Sequence, residues 1–379
     1  MKLLHVLSFG QTLENLINKG LWNREEMGFR ALHDEGVETV WLFTYGRADI
    51  KLLARRQQEG LMPEWIKLLP YPSWLKGKAG KLLYSFWGPR IHKKAISELD
   101  IVKSSQTNGS WVASKAARLC NKPFVYRTGY TVTRNLAKQH APAWKQRLFA
   151  WIERKGHQRC DAAIVTSYGD KEYALKRYQA NPDKVHVITN FVDTRLFSPR
   201  QQTGKHEKRL LFIGRLAQAK NLESLIDAFA ELDWGLDLVG GGESGETLKA
   251  QVQDCGADVQ FLGRFPQEEL PELLSAYRYF ILPSHYEGMP KALLEAMSCG
   301  LCCIGTDVSG IKEVIQHEKT GILIPATDAQ SIRKVILSLE EYDAERLGNH
   351  ARAYIEERHS LEGLAKQEAG LLREILKSK

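Results

Sequence analysis

The chain of 379 residues contains no uncharged run near the roughly 18 apolar residues that a membrane-spanning helix requires. Its opening, "MKLLHVLSFGQTLENLINKG", turns polar too soon for a secretory leader and ends in no small-residue cleavage site, so it reads as a first strand. Cysteine is scarce: Cys120, Cys160, Cys255, Cys299, Cys302 and Cys303 are irregularly spaced, and no second pair or His-x-x-x-His accompanies the Cys299-x-x-Cys302 step. That argues against zinc or a disulfide framework and for small buried thiols in a reducing cytoplasm. The glycine-rich stretch "LVGGGES" (238–244) lacks both the Gly-x-Gly-x-x-Gly spacing and a following Lys-Ser or Lys-Thr. A dinucleotide fingerprint and a Walker loop are therefore excluded there, and a plain turn is the simpler reading. Acidic residues are absent from 101–150, where nine basic ones occur.

What is present is the composition of an α/β protein long enough for roughly two to three domains. Charge is unevenly divided: residues 1–200 hold 33 Lys and Arg against 17 Asp and Glu, whereas 201–379 hold 20 against 28. A first half with a net charge of +16 predicts an anionic partner. Short apolar runs at 3–10, 37–46, 99–105, 122–130, 160–167 and 183–193 alternate with helix-length sequence. After the polar stretch "SPRQQTGKHEKR" (198–209), which reads as a linker, the alternation restarts at 210–214, 236–242, 259–263, 279–284, 301–306 and 321–326. This predicts two doubly wound parallel sheets, in domains 1–200 and 201–359, facing across a cleft. Residues 360–379 have helical periodicity. Spacing does not say which domain that helix packs on; a return to the first is the expectation.

Ligands of open α/β sheets bind beyond the carboxyl ends of strands, so chemistry is sought there. "FIGRLAQAKNLESLIDAF" (212–229) offers Gly214 for a turn, Arg215 at a strand end, and Lys220 just before Asn221, a good N-cap residue. Two cations and a helix start make a diphosphate site in the physical sense, with two solvated surface cations as the plainer alternative. "HYEGMPKALLEAMSCG" (285–300) places Glu287 in a loop, Pro290 in the first turn of a helix, Gly300 at its end, and Glu295 among apolar residues within it. A carboxylate there is costly unless something hydrogen-bonds to it. Glu295 lies about 7 to 8 Å along the axis from Pro290, a separation that suits two hydroxyl-accepting groups on one elongated ligand better than an acid/base dyad or a metal clip. Otherwise Glu287 caps its own helix and buried backbone satisfies Glu295.

These segments, together with "CDAAIVTSYGDKEYAL", "VHVITNFVDTRLFSP" and the run from "FLGRFPQEELPELLSAYRYFILPS" to "GILIP", resemble the retaining nucleotide-sugar glycosyltransferases of family four, which have the GT-B fold. The resemblance implies that Arg215 and Lys220 neutralise a donor diphosphate, Glu287 holds donor-sugar hydroxyls, and Glu295 accepts from ribose, completing a Glu-x7-Glu motif. It further implies backbone contacts from Gly10, Gly214, Gly288, Met289 and Lys291, and a nucleotide base near Arg264. The first loop, "SFGQT", carries one glycine where the family often has two. "YRTGY" (126–130) lacks the family's frequent histidine, leaving Arg127, Thr128 and Tyr130 as candidates near the donor sugar or acceptor.

The expected activity is metal-independent, retaining transfer of a hexose-type sugar from a UDP- or GDP-type donor, with no cofactor and no protein nucleophile. The acceptor would be a glycan or lipid-linked molecule in cell-surface polysaccharide, lipopolysaccharide or glycolipid synthesis. The aromatic and basic stretch 64–94 suits peripheral association with the anionic inner face of the plasma membrane from the cytoplasm; a soluble surface for an acidic glycan is the alternative. Nucleic acid is not expected. Two other functions fit less: a nucleotide-sugar 2-epimerase on the same fold, and a non-catalytic basic binding protein, which leaves Arg215, Lys220, Glu287 and Glu295 unexplained.

Overall fold

Seven parallel strands form the first sheet: β1 Lys2–Val6, β2 Thr39–Phe43, β3 Ile66–Leu69, β4 Ile101–Ser104, β5 Phe124–Arg127, β6 Ala162–Val165 and β7 Val185–Val187, in the order 3-2-1-4-5-6-7. The second has six: β8 His206–Ile213, β9 Gly235–Val239, β10 Val259–Gly263, β11 Tyr277–Leu282, β12 Cys302–Thr306 and β13 Ile322–Ile324, in the order 10-9-8-11-12-13. This computed structural model describes residues 1–138, 141–200 and 204–378. One compact unit comprises 1–188 with 364–379, the other 189–363. Residues 201–203 of the expected linker lie outside the described residues.

Strands such as β4, β6 and β12 are buried at every position, which is why they read as short continuous apolar runs without alternation. Two features depart from the sequence reading. Ile66–Leu69, inside the aromatic and basic stretch, is an edge strand pairing with β2, and its Ile66, Leu68 and Leu69 are buried. His206–Arg209, read as linker, begins β8; pairing to β11 and packing of the His206 ring on Tyr277 hold it extended despite exposed polar side chains.

The helix Leu361–Lys377 starts in the second unit and belongs to the first from Leu364 onward. Its Glu368 accepts from Lys103 of β4, and both side chains are buried. Arg373 of the same helix donates to the Glu35 carbonyl.

Another buried ionisable group lies on the Ala143–Arg159 helix, where His157 stacks on Tyr178 and meets the edge of Tyr126, with its Nδ1 unpartnered. Burial pushes its pKa from 6.5 down to about 4. A folded-state pKa below the unfolded value means that stability is full above pH 6.5 and is lost as pH falls toward 4. At about 1.4 kcal/mol per pH unit, the loss attributable to His157 is roughly 3 kcal/mol. Urea melts at neutral and mildly acidic pH test this: His157→Phe should flatten the slope relative to wild type, and an unchanged slope would refute the assignment.

Candidate functional site

In both sheets the strand order reverses beside the first strand of the unit, between β1 and β4 and between β8 and β11. Such a switch point opens a crevice at the carboxyl ends of the two strands, because their connections leave in opposite directions. In the second unit the loops leaving β8 and β11 carry the strongest sequence-predicted residues.

After β8 the chain passes Gly214 and Arg215 into a short 3-10 turn, Gln218–Lys220, and reaches Asn221 in the left-handed conformation at φ 56°. After β11 it runs through Ser284 and Glu287 to Pro290, the residue preceding the Lys291–Ser298 helix. The two loops are tied by His285 N–H donating to the Ala219 carbonyl at 3.0 Å. Lys220 Nζ donates to Glu287 Oε1 at 2.5 Å, and Ser284 Oγ donates to the same oxygen at 2.8 Å. Side-chain exposures of 22% for Lys220 and 13% for Glu287 keep this pair partly shielded from water. Arg215 is more open and meets Glu243 through Nε at 3.1 Å.

Asn221 does not cap the following helix with its side chain. The amide is buried and donates to the carbonyls of Pro283, at 3.1 Å, and Thr327, at 2.7 Å, so it fastens the β8 loop to two neighbouring loops. Buried carbonyls without such partners would carry a desolvation cost, which is why an amide occupies this position.

"LVGGGES" is more than a plain turn. Gly240 has φ 140°, and a Cβ there would meet the Gly214 carbonyl oxygen at 1.8 Å; one on Gly242 would meet the Leu216 oxygen at 2.1 Å. The glycines let this strand exit pack on the backbone beside Arg215, where an open pocket of about 610 Å³ is lined by Gly214, Arg215, Gly241, Glu243, Arg264 and Phe265. Arg264 thus shares a pocket with Arg215. Met289 is buried, and its carbonyl accepts from Asn190 Nδ2 at 2.9 Å. Gly288 lies against Gly310, whose φ of 89° and close approach to the Gly288 oxygen both require glycine. Glu295 is half-buried on its helix. After burial itself, its charge is the next cause pushing the Cys299 thiol up to about 12.

The first-unit candidates are arranged differently. Gly10, at φ 78° in the β1 loop, offers its carbonyl to Lys81 Nζ at 3.1 Å. Thr128 is buried, and its hydroxyl donates to the Tyr130 carbonyl at 2.6 Å while accepting from Thr107 at 3.2 Å. Its hydrogen bonds are thus committed to holding the turn. Tyr130 is exposed and Arg127 half-buried, with the Arg127 charge felt at His5, Lys103 and Glu368.

Two family profiles divide the chain: one described as "Glycosyltransferase Family 4" matches residues 29–196, and one described as "Glycosyl transferases group 1" matches 193–357. Each profile covers under half of the chain, and the two together run from residue 29 to residue 357; the two parallel Rossmann-like sheets are those of the GT-B fold. Among similar proteins, the N-acetyl-alpha-D-glucosaminyl L-malate synthase of Bacillus anthracis is 30% identical over 240 residues, covering 59% of this chain and 62% of that protein. A UDP-Gal:alpha-D-GlcNAc-diphosphoundecaprenol alpha-1,3-galactosyltransferase of Escherichia coli is 28% identical, covering 64% and 66%. The chain therefore spans slightly under two thirds of each relative's length. The crystal structure of Anabaena Alr3699/HepE in complex with UDP superposes with a TM-score of 0.76 over 99% of this chain and all of that one, at 17% identity, a likeness of fold.

Within this GT-B fold, sequence reasoning missed Glu243, Ser284 and Gly310. Glu243 sits inside the quoted "LVGGGES", so its position beside a glycine-rich exit was an available signal. Ser284 stands three residues before Glu287, but its orientation depends on Thr306 Oγ1 holding the Ser284 carbonyl at 2.6 Å, a contact across 22 residues. Among the described residues no three His, Cys, Asp or Glu side chains cluster as a metal site, and no helix is long and apolar enough to cross a membrane.

Proposed function

We propose that the chain transfers a hexose-type sugar from a nucleoside-diphosphate donor, of UDP or GDP type, to a glycan or lipid-linked acceptor in cell-surface polysaccharide or glycolipid synthesis, with retention of anomeric configuration. The observation that carries this reading is the meeting of Lys220 with Glu287 at the β8/β11 switch point, with Arg215 on the same β8 loop. A cation beside a hydroxyl-accepting carboxylate matches the junction of a diphosphate and a sugar. The activities of the Bacillus and Escherichia relatives support the class of reaction.

In the proposed mechanism Arg215 and Lys220 stabilise the charge that develops on the leaving diphosphate as the anomeric C–O bond breaks. Glu287 orients the sugar through its hydroxyls, Glu295 accepts from ribose, and the pocket holding Arg264 takes the base. The acceptor oxygen bonds to the anomeric carbon on the face the phosphate leaves, and its proton passes to a leaving-phosphate oxygen. Two fixed cations supply the charge that a metal ion would otherwise provide. Donor diphosphate competes with Glu243 for the Arg215 guanidinium, since one fork cannot hold both anions at full strength.

The test is incubation with UDP- and GDP-sugars, with and without a bacterial lipid extract, followed by NMR of the sugar products. The expected result is nucleoside diphosphate released with the extract and an axial-to-axial or equatorial-to-equatorial linkage. Free 2-epimer formed without any acceptor would make the protein an isomerase and overturn the proposal.

A further inference from the structure

The Gly77–Ile91 helix presents Leu82, Leu83, Phe86, Trp87 and Ile91 to solvent, at the three- and four-residue spacing that puts them on one stripe. A second helix, Ala143–Arg159, presents Trp144, Leu148 and Trp151 in the same way. Both pack against one intervening helix, Ser110–Cys120, so the three form a single layer on the first sheet. Exposures of 56% for Trp87, 67% for Trp144 and 55% for Trp151 are large for indole rings, which ordinarily contribute to cores or interfaces.

The sequence that carries these rings is basic. Residues 77–159 hold 17 Lys and Arg against three acidic residues, and Glu153, one of the three, is buried in bonds to Thr133 and Tyr178. Arg90 lies over the Trp87 ring and Lys115, of the intervening helix, over Phe86. We infer that this three-helix layer is a docking face for an anionic lipid bilayer, with the Trp, Leu and Ile side chains entering the headgroup–acyl boundary and the Lys and Arg side chains meeting lipid phosphates.

Charge distinguishes this occupant from a second copy, because two such basic faces brought together would repel. Aliphatic tips at Leu83, Ile91 and Leu148 distinguish it from nucleic acid, which offers phosphates and stacking faces but little for isolated Leu and Ile to bury against. The layer also adjoins the mouth of the first sheet: Lys81, on the first of these helices, holds the Gly10 carbonyl, and Phe9 beside it contacts Trp111 of the intervening helix. A membrane-borne acceptor would be delivered next to that loop, a consequence that rests on the proposed transferase function. The docking itself does not.

Cosedimentation with phosphatidylcholine vesicles, with and without a third of phosphatidylglycerol, tests the inference on the full chain with no donor present. Binding is expected to be at least about tenfold tighter to the anionic vesicles. It should fall by about tenfold or more both in the triple variant Trp87→Ser, Trp144→Ser, Trp151→Ser and in the charge variant Lys78→Gln, Arg90→Gln, Lys145→Gln, three exposed cations of the two outer helices. Trp→Phe at the same three positions should retain it, and melting temperatures within a few degrees of wild type show that each variant folds. Equal binding by wild type and the Trp→Ser variant would overturn the inference, leaving a basic surface without insertion. So would absence of vesicle binding, a wild-type dimer that the Trp→Ser variant dissolves, or full displacement from vesicles by RNA. Failure here leaves nucleotide-sugar binding and transfer to a water-soluble acceptor untouched, so the two proposals fail separately.

Discussion

Replacing Glu287 with alanine is expected to lower kcat/KM for sugar transfer by about 10²- to 10³-fold, the usual range for removing one preorganised polar group from a reacting centre. The carboxylate accepts both Lys220 Nζ and Ser284 Oγ through one oxygen, leaving the other for a ligand hydroxyl. Alanine removes the proposed sugar contact and also frees Lys220 from its anchor, so part of the loss comes through a misplaced cation. Because the pair retains some access to water, the fold should tolerate the change, with a melting temperature close to wild type. Glu287→Gln separates the two effects, since an amide oxygen still accepts a hydrogen bond but no longer fixes the Lys220 charge. Turnover of the alanine variant within twofold of wild type would remove Glu287 from the site.

The second large effect concerns stability. Lys103→Met should destabilise the first unit by about 3–5 kcal/mol, because it leaves the buried Glu368 carboxylate without its partner. Burial acts to raise the Glu368 pKa, but the charges of Lys103 and then Arg127 outweigh it and hold the group below its ordinary value. A depressed folded-state pKa contributes stability that is present above the unfolded value and lost as pH falls through the folded one. Without Lys103 the burial effect gains weight and the sign reverses: the variant should recover stability on mild acidification, as Glu368 takes up a proton. The double variant Lys103→Met, Glu368→Leu should regain most of the loss, since an apolar pair of similar volume can replace a buried ion pair. Chemical denaturation of the single and double variants measures this. A single variant as stable as wild type would contradict the assigned contact.

The two sheets were legible because their central strands, such as β4, β6, β9 and β12, are buried on both faces, and a run such as "CDAAIVTS" or "LCCIGT" has few other uses. Ile66–Leu69 was not, because it is an edge strand of four residues whose Lys67 and flanking Trp65 and Trp74 look like surface. His206–Lys208 failed in the opposite direction: exposed polar side chains are held extended by pairing with β11, and local sequence does not record that partner. Arg215, Lys220 and Glu287 were singled out from their places after predicted strands, and they do follow β8 and β11. The bonds joining them were not, since Lys220 meets Glu287 across 67 residues. Asn221 shows the limit most clearly. Its residue type correctly marked a helix start, yet its left-handed backbone turns the amide away from that helix toward the carbonyls of Pro283 and Thr327.

Calorimetric titration with UDP and GDP, on wild type and on Arg215→Ala and Lys220→Ala, tests the proposed donor site most directly. One nucleotide should bind per chain, and each alanine variant should weaken it by at least about tenfold, as expected for loss of a charge-assisted contact to phosphate. Binding of neither nucleotide, or binding that both variants leave unchanged, would contradict the donor site at the carboxyl ends of β8 and β11.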